Sequence, residues 1–137
     1  MKKVFLDANI LIDLMDETRS VDPSITSFMF EADKECLYMS PLSVHIAFYV
    51  LKIKPNTQIC KDMQLFLETI NLIPLTESIA KRSVSIDFPN FEDCLQYFSA
   101  LDYCDYILTR DKKDFEKIKE LSPSRIQIVS NCKDIRQ

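Results

Sequence analysis

The sequence predicts an α/β fold: a single three-layer α/β/α domain spanning residues 1–137, built on a parallel sheet of four to five strands. Three observations lead there. Short apolar runs alternate with segments of helical apolar spacing along all 137 residues. No repeat, low-complexity tract or linker divides the chain, and its length fits one domain. Hydrophobic residues make up 47% and charged residues 28%, and a chain of this size buries about two thirds of its unfolded surface. Strands that alternate with helices pair in parallel through right-handed crossovers, which places helices on both faces of the sheet.

Each element has a local reason. Val4-Phe5-Leu6, ended by Asp7, reads as a buried strand. Residues 9–15 place Ile10, Leu11, Leu14 and Met15 at helical spacing. Asp22-Pro23 starts the next helix, with the carboxylate as cap and proline at the first helical position, and Ile25, Phe28, Met29 and Ala32 form its apolar face. Residues 36–39 are the second strand. Ser40-Pro41 repeats the cap-and-proline signal before Leu42, Ile46, Tyr49, Val50 and Ile53. A helix follows over 57–69, a short strand over 71–75, and a helix from Thr76 to about Ile86. Phe88-Pro89-Asn90 opens a helix that runs through Leu101, residues 106–109 form the fourth strand, 114–121 a short helix and 126–129 the last strand.

Composition removes several functions. There is no glycine, where average usage would supply roughly ten. A phosphate-cradling P-loop, a dinucleotide fingerprint and a G-x-S-x-G nucleophile elbow are therefore absent. Turns must use Asn or Asp, such as Asn56, Asn90 and Asn131. With one histidine and no C-x-x-C pair among five cysteines, a zinc site is disfavoured, and the cysteines read as reduced thiols of a cytoplasmic protein. A net charge of −4 opposes coating of nucleic acid by bulk charge. Asp7, Asn9 and Asp13 break the first apolar run too early for a signal peptide. No run reaches the ~18 apolar residues of a membrane span.

In open parallel sheets the site lies beyond the carboxyl ends of the strands. Asp7 stands there after the first strand, and Asp111 and Asp114 follow the fourth. Several acids with no catalytic Ser, Cys or His partner point to metal-assisted chemistry. Gathered carboxylates repel one another until a divalent cation neutralises them, and Mg²⁺ or Mn²⁺ suits oxygen ligands and keeps waters. Phosphate oxygens are the natural substrate groups for such an ion. The same acids also have structural readings. Asp7 fits a helix cap, and the pairs Asn90/Asp93 and Asp111/Asp114 have capping-box spacing. A predicted stripe of Phe91, Leu95, Phe98 and Leu101 leaves Asp93 off the packed face. An aspartyl-phosphate phosphatase needs a second acid two residues after Asp7, where Asn9 stands.

Three segments carry a family resemblance. Phe5-Leu6-Asp7-Ala8-Asn9-Ile10-Leu11-Ile12-Asp13 resembles the opening strand and turn of PIN-domain ribonucleases. Asn90-Phe91-Glu92-Asp93-Cys94-Leu95-Gln96-Tyr97-Phe98-Ser99-Ala100 resembles their mid-chain acidic helix, and Ile107-Leu108-Thr109-Arg110-Asp111-Lys112-Lys113-Asp114-Phe115 their last acidic motif. The order matches, and length and single-domain form are similar to the VapC-like toxin branch. The resemblance implies a metal-dependent ribonuclease that holds Mg²⁺ or Mn²⁺ on Asp7, Asp93 and either or both of Asp111 and Asp114; Asp114 matches the last acid, Asp111 stands where the family often has Asn, and capping spacing makes one of the pair a cap and the other a ligand. Asn9 and Thr109 would support that site. It also implies a homodimer and a cognate antitoxin.

Arg110, Lys112 and Lys113, with Lys117 and Lys119 beyond them, form either an RNA-binding rim or a solvated helix face. Lys52, Lys54 and Lys61 are a second, weaker candidate rim. One position departs from the pattern. Family members carry a Glu six residues after the first Ser of the segment Ser40-Pro41-Leu42-Ser43-Val44-His45-Ile46, and here that position is Ile46. His45 is its neighbour, about 100° round the helix. It reads either as a packed side chain or as a ligand reached by a rotated helix. The alternative to an enzyme is therefore a degenerate PIN-like module that binds RNA or a protein partner.

Overall fold

A computed structural model describes residues 2–16, 18 and 22–135. The first apolar run becomes β1 (Val4–Leu6) and is followed by α1 (Ala8–Met15) and α2 (Pro23–Glu31). Next come β2 (Leu37–Met39), α3 (Pro41–Leu51), α4 (Gln58–Leu67) and β3 (Asn71–Leu72). The second half holds α5 (Glu77–Ser85), α6 (Phe91–Leu101), β4 (Tyr106–Leu108), α7 (Lys112–Leu121) and β5 (Gln127–Val129). One-turn 3₁₀ segments cover Lys34–Cys36 and Cys132–Asp134. All strand pairs are parallel, in the order β3-β2-β1-β4-β5.

The period-2 alternation of a strand divides the core into two layers. Val4, Leu6, Leu37, Met39, Tyr106 and Leu108 face one side, against Ile10 and Leu11 of α1, Ile25 of α2, Ala47 of α3 and Met63 of α4. Phe5, Ile107 and Ile128 face the other, against Ile79 of α5, Tyr97 and Phe98 of α6, and Phe115 and Ile118 of α7. Helices therefore cover both faces, as an all-parallel sheet requires. The chain leaves β1 toward β2 and β3 on the first face, then returns to β4 on the opposite side of β1. The strand order reverses between β1 and β4, so a crevice opens beyond their carboxyl ends.

The caps expected at Asp22, Ser40, Thr76 and Asn90 are made, and Thr57 adds another. Asp22, Ser40, Thr57, Thr76 and Asn90 each accept a hydrogen bond from a first-turn N–H. Boundaries differ where backbone chemistry intervenes. The third strand stops at Leu72 rather than 75, although the Ile73 N–H still donates to the Met39 carbonyl at 2.8 Å. Pro74 has no N–H to extend the ladder. The sixth helix begins at Phe91, after the Asn90 cap and not at 88, and the seventh begins at Lys112, two residues before 114. The third helix ends at Leu51, where Lys52 takes the left-handed conformation with φ 52°. Asn56 does the same at φ 64°. With no glycine in the chain, those two turns fall to a lysine and an asparagine.

The predicted stripe on α6 is corrected. Phe91 is exposed, whereas Asp93, Cys94, Gln96, Tyr97, Phe98, Ser99 and Ala100 are all buried. This helix packs against α5 and α7 and also borders the crevice, so more than one of its faces is covered. No helix among the described residues is long and apolar enough to cross a membrane.

Candidate active site

The crevice is a cleft of about 180 Å³ lined by Asp7, Ala8, Asn9, Ile12, Ile46, Asn90, Glu92, Asp93, Gln96 and Asp111. Its strand wall is built from the residues that follow β1 and β4. Asp7 donates its N–H to the Leu108 carbonyl at 3.1 Å, which continues the β1–β4 ladder by one rung. Its side chain caps α1: Oδ1 accepts from the Ala8 N–H at 2.8 Å, and Oδ2 accepts from the Thr109 hydroxyl at 2.7 Å. The Thr109 oxygen in turn accepts from the Asp111 N–H at 2.9 Å. Asn9 closes the loop, donating from Nδ2 to Asp111 Oδ2 at 3.2 Å and accepting from the Arg110 N–H at 3.4 Å. Asp7 is thus both a cap and a cleft residue.

The helix wall is α6 with α3 beside it. The Asn90 side chain accepts from the Asp93 N–H at 3.1 Å, which fixes the first turn of α6 and brings Asp93 to the cleft. Among the described residues no donor reaches the Asp93 carboxylate. Its pKa is pushed up to about 7, first by burial and then by the charges of Asp7, Asp111, Asp114 and Glu92. Asp7 is raised to about 6 by burial, with Asp111 adding to the rise and the Thr109, Ala8 and Arg110 interactions opposing it. Two adjacent carboxylates that resist ionisation mark a place where negative charge is concentrated in poorly hydrated space.

The other expected residues distribute unevenly. Asp111 stands at the N-terminal boundary of α7 but makes no capping bond; its carboxylate turns to Asn9 and the cleft. Asp114 lies in the first turn of α7 and does not line the cleft, though its charge is felt at Asp93. His45 is exposed and borders an adjoining depression with Leu42, Tyr49 and Val50; that depression shares Ile46 and Glu92 with the cleft, but His45 does not line the cleft itself. The α3 residue that faces the cleft is Ile46, so rotation of the helix toward His45 does not occur. Arg110 pairs through Nε with Asp13 at 2.7 Å. Lys112 and Lys113 are exposed at the start of α7, and Lys52, Lys54, Lys61 and Lys117 are exposed too. Lys119 leaves the proposed rim, since its Nζ donates to the Ile126 carbonyl at 2.8 Å. The cysteines stay out of the chemistry. All five are free, and burial pushes the Cys94 thiol up, Cys132 to about 11 and Cys104 to about 12.

Three residues of this region escaped sequence reasoning. Glu92 joins the rim of the cleft, Asp13 anchors Arg110, and Gln96 lines the cleft one turn after Asp93. The i, i+3 spacing from Asp93 was the available signal for Gln96.

Among the described residues, no three Asp, Glu, His or Cys side chains converge closely enough to enclose a metal ion. The donors that do line the cleft are oxygens: the carboxylates of Asp7, Glu92, Asp93 and Asp111, and the buried carboxamide oxygen of Gln96, which has no hydrogen-bond partner among the described residues. This set fits Mg²⁺ or Mn²⁺. Such ions keep several waters and bind through one or two carboxylates rather than an all-protein cage.

No protein-family model matches the chain. It is 27% identical over 119 residues to Ribonuclease VapC1 of Aquifex aeolicus (strain VF5), covering 81% of this chain and 83% of that protein. Among solved structures, a toxin-antitoxin complex from Klebsiella pneumoniae matches with a TM-score of 0.67 and 22% identity, over 93% of this chain and 97% of the other. FitAcB from Neisseria gonorrhoeae matches with a TM-score of 0.69 and 14% identity, over 91% and 95%. VapBC2 from Rickettsia felis, bound to a promoter DNA fragment, matches with 0.62 and 14%, over 92% and 96%. These likenesses bear out the resemblance carried by the three sequence motifs: the chain is similar, in fold and along most of its length, to VapC-like PIN-domain ribonucleases.

Proposed function

We propose that this protein is a ribonuclease that hydrolyses RNA phosphodiester bonds with the help of Mg²⁺ or Mn²⁺, acting as the toxin of a toxin–antitoxin pair. The carrying observation is the cleft at the β1–β4 switch point, which Asp7 and Asp93 both line and where burial raises both carboxyl pKa values, to about 6 and about 7. Similarity to Ribonuclease VapC1 supports the reaction class.

Asp7, Asp93 and Asp111 would hold the ion, one or two of them directly and the rest through its waters, with Asp114 adding its charge from farther out. When bound, the ion supplies a polarised phosphoryl oxygen and an acidified water as nucleophile. The chain's own residues do the rest. Thr109 and the Ala8 N–H hold both oxygens of Asp7 in one orientation, so the carboxylate is positioned before any ligand arrives. Asn9 ties the loop after β4 to the loop after β1, which keeps Asp111 at the mouth of the cleft. Lys112 and Lys113, exposed beside that mouth, meet the phosphates of a single strand and offset the acidic total of the chain. The solved neighbour from Klebsiella pneumoniae is a toxin-antitoxin complex, which supports an antitoxin partner for this chain. A homodimer belongs to the same reading, and five free thiols suit a reducing cytoplasm.

The test is cleavage of a labelled RNA by the purified protein with Mg²⁺ or Mn²⁺, with and without EDTA, beside Asp7→Asn. Metal-dependent cutting by the wild type and loss of at least about a thousandfold in the variant are expected. Equal cutting by both sinks the assignment as a contaminant. Ile46 in the cleft wall favours a second reading, a non-catalytic module that binds RNA. RNA binding without cleavage under every metal condition would select it.

A further inference from the structure

Gln96 sits on α6 one turn after Asp93, on the same side of the helix. It is 1% exposed, yet it lines the cleft. Its Nε2 donates to the hydroxyl of Ser43 at 2.6 Å, and Ser43 is itself fully buried on α3. That bond occupies the amide end. The other end, Oε1, is buried and has no hydrogen-bond donor among the described protein atoms. Leaving a carboxamide oxygen dry and unpartnered is unfavourable, and a buried orphan beside a cleft of oxygen donors calls for a ligand.

We propose that Gln96 is a ligand of the divalent ion, its carboxamide oxygen serving in place of the carboxylate that Ile46 does not supply. This rests on the reading of the cleft as a metal site. The cleft already gathers the carboxylates of Asp7, Glu92, Asp93 and Asp111. A neutral oxygen adds a lone pair there without adding repulsion. The Ser43 hydroxyl lies three residues before Ile46 on α3. The helix that lacks the acid thus steers the substitute: it holds the amide so that Oε1 is the end left for the ion. Gln96 and Ser43 also tie α3 to α6, and a purely structural tie is the competing explanation.

Calorimetric titration of the full chain with Mn²⁺ at pH 8 separates them, with melting curves recorded for every variant. Wild type should bind, and Asp7→Asn should not. Gln96→Met keeps the length but offers a thioether, a poor ligand for a hard ion, and should weaken binding about tenfold. Gln96→Glu should bind more tightly than wild type. Ser43→Ala breaks the same interhelical bond but leaves the oxygen, so it should lose less affinity than Gln96→Met while shifting the melting temperature comparably. The proposal falls if Gln96→Met binds like wild type, if Ser43→Ala weakens binding as much, or if Gln96→Glu binds no better than Gln96→Met. Those outcomes leave the metal site standing. Failure of wild type to bind millimolar Mn²⁺, or equal binding by Asp7→Asn, overturns the metal reading and this proposal with it.

Discussion

Asp7 and Asp93 face the same cleft, and the walls that carry them are built in opposite ways. On the strand wall every acid is held. Asp7 accepts from Ala8 and Thr109, and Asp111 accepts from Asn9. These bonds follow from backbone geometry at the ends of β1 and β4 and need nothing from outside the chain. On the helix wall Asp93 has no donor among the described residues, and Gln96 keeps an orphan oxygen. The first wall is preorganised; the second is left short of partners, on the side where a cation would restore the balance. Size is a poor guide to this difference. A larger hollow of about 670 Å³, between Leu14, Met29, Phe30 and Phe66, is mostly apolar and holds none of the acids of the cleft.

The sharpest way to break the comparison is Asp93→Asn. Cleavage should fall by about a hundredfold or more, while the metal-free protein should become more stable at pH 8. The sign follows from linkage. Asp93 has a folded pKa of about 7, raised from 3.8, so its protonated form is the one the fold favours. Stability from this group is complete below pH 4 and is lost as pH rises from there through about 7. Asparagine removes that loss, and a gain of about 5 °C in Tm at pH 8 without metal is expected. The same melts with Mn²⁺ should stabilise wild type and leave the variant nearly unmoved. A variant that melts lower than wild type at pH 8 would show that Asp93 is satisfied by contacts within the fold.

Ile46→Glu sharpens the contrast from the other side. Ile46 is the α3 residue on the cleft, so a carboxylate there adds an anionic oxygen to the wall that lacks partners. Mn²⁺ affinity should rise about tenfold, at the cost of lower metal-free stability from a further buried charge. Unchanged affinity would mean that α3 stands too far from the ion to contribute.

How much of this was legible beforehand differs by wall. The strand wall could be read directly, because Asp7 and Asp111 follow the ends of apolar runs and topology alone places such residues at a switch point. The helix wall could not be read by periodicity. A stripe of Phe91, Leu95, Phe98 and Leu101 suggested one packed face, but α6 is covered on several sides, Phe91 is the residue left outside, and Asp93 is 9% exposed. Only the family motif singled out Asp93. Gln96 gives no signal of burial in the sequence because glutamine is usually solvent-exposed, and its bond to Ser43 depends on α3, which is remote in sequence. Lys52 was missed for a related reason: in a chain without glycine no residue type announces a left-handed turn, and only Asn56 followed the expected chemistry.

Thr109→Val tests the organised wall. The substitution keeps shape and removes the hydroxyl shared by Asp7 and Asp111. Stability should drop by about 1–2 kcal/mol as a buried carboxylate oxygen loses its donor. Because the Thr109 bond lowers the pKa of Asp7, its loss should push that pKa above its present value of about 6. The acidic limb of the cleavage profile should therefore move to higher pH. A stable variant with an unshifted profile would show that the Thr109 bond does not set the protonation of Asp7.

The smallest expected effects lie outside both walls, at Lys112 and Lys113. Arg110 is engaged with Asp13, whereas these two side chains are exposed at the start of α7, beside the loop that carries Asp111. If they meet the RNA backbone, each alanine variant should raise KM a few-fold and leave kcat and Mn²⁺ affinity unchanged. The decisive readout is salt. Each single-strand phosphate contact contributes about 0.7 to the slope of log affinity against log salt, so Lys112→Ala and Lys113→Ala should each flatten that slope by about this amount. An unchanged slope would return the pair to a solvated helix face. Phosphate binding would then fall to the ion and the cleft, and the net charge of −4 would act against the substrate with no local offset at that edge.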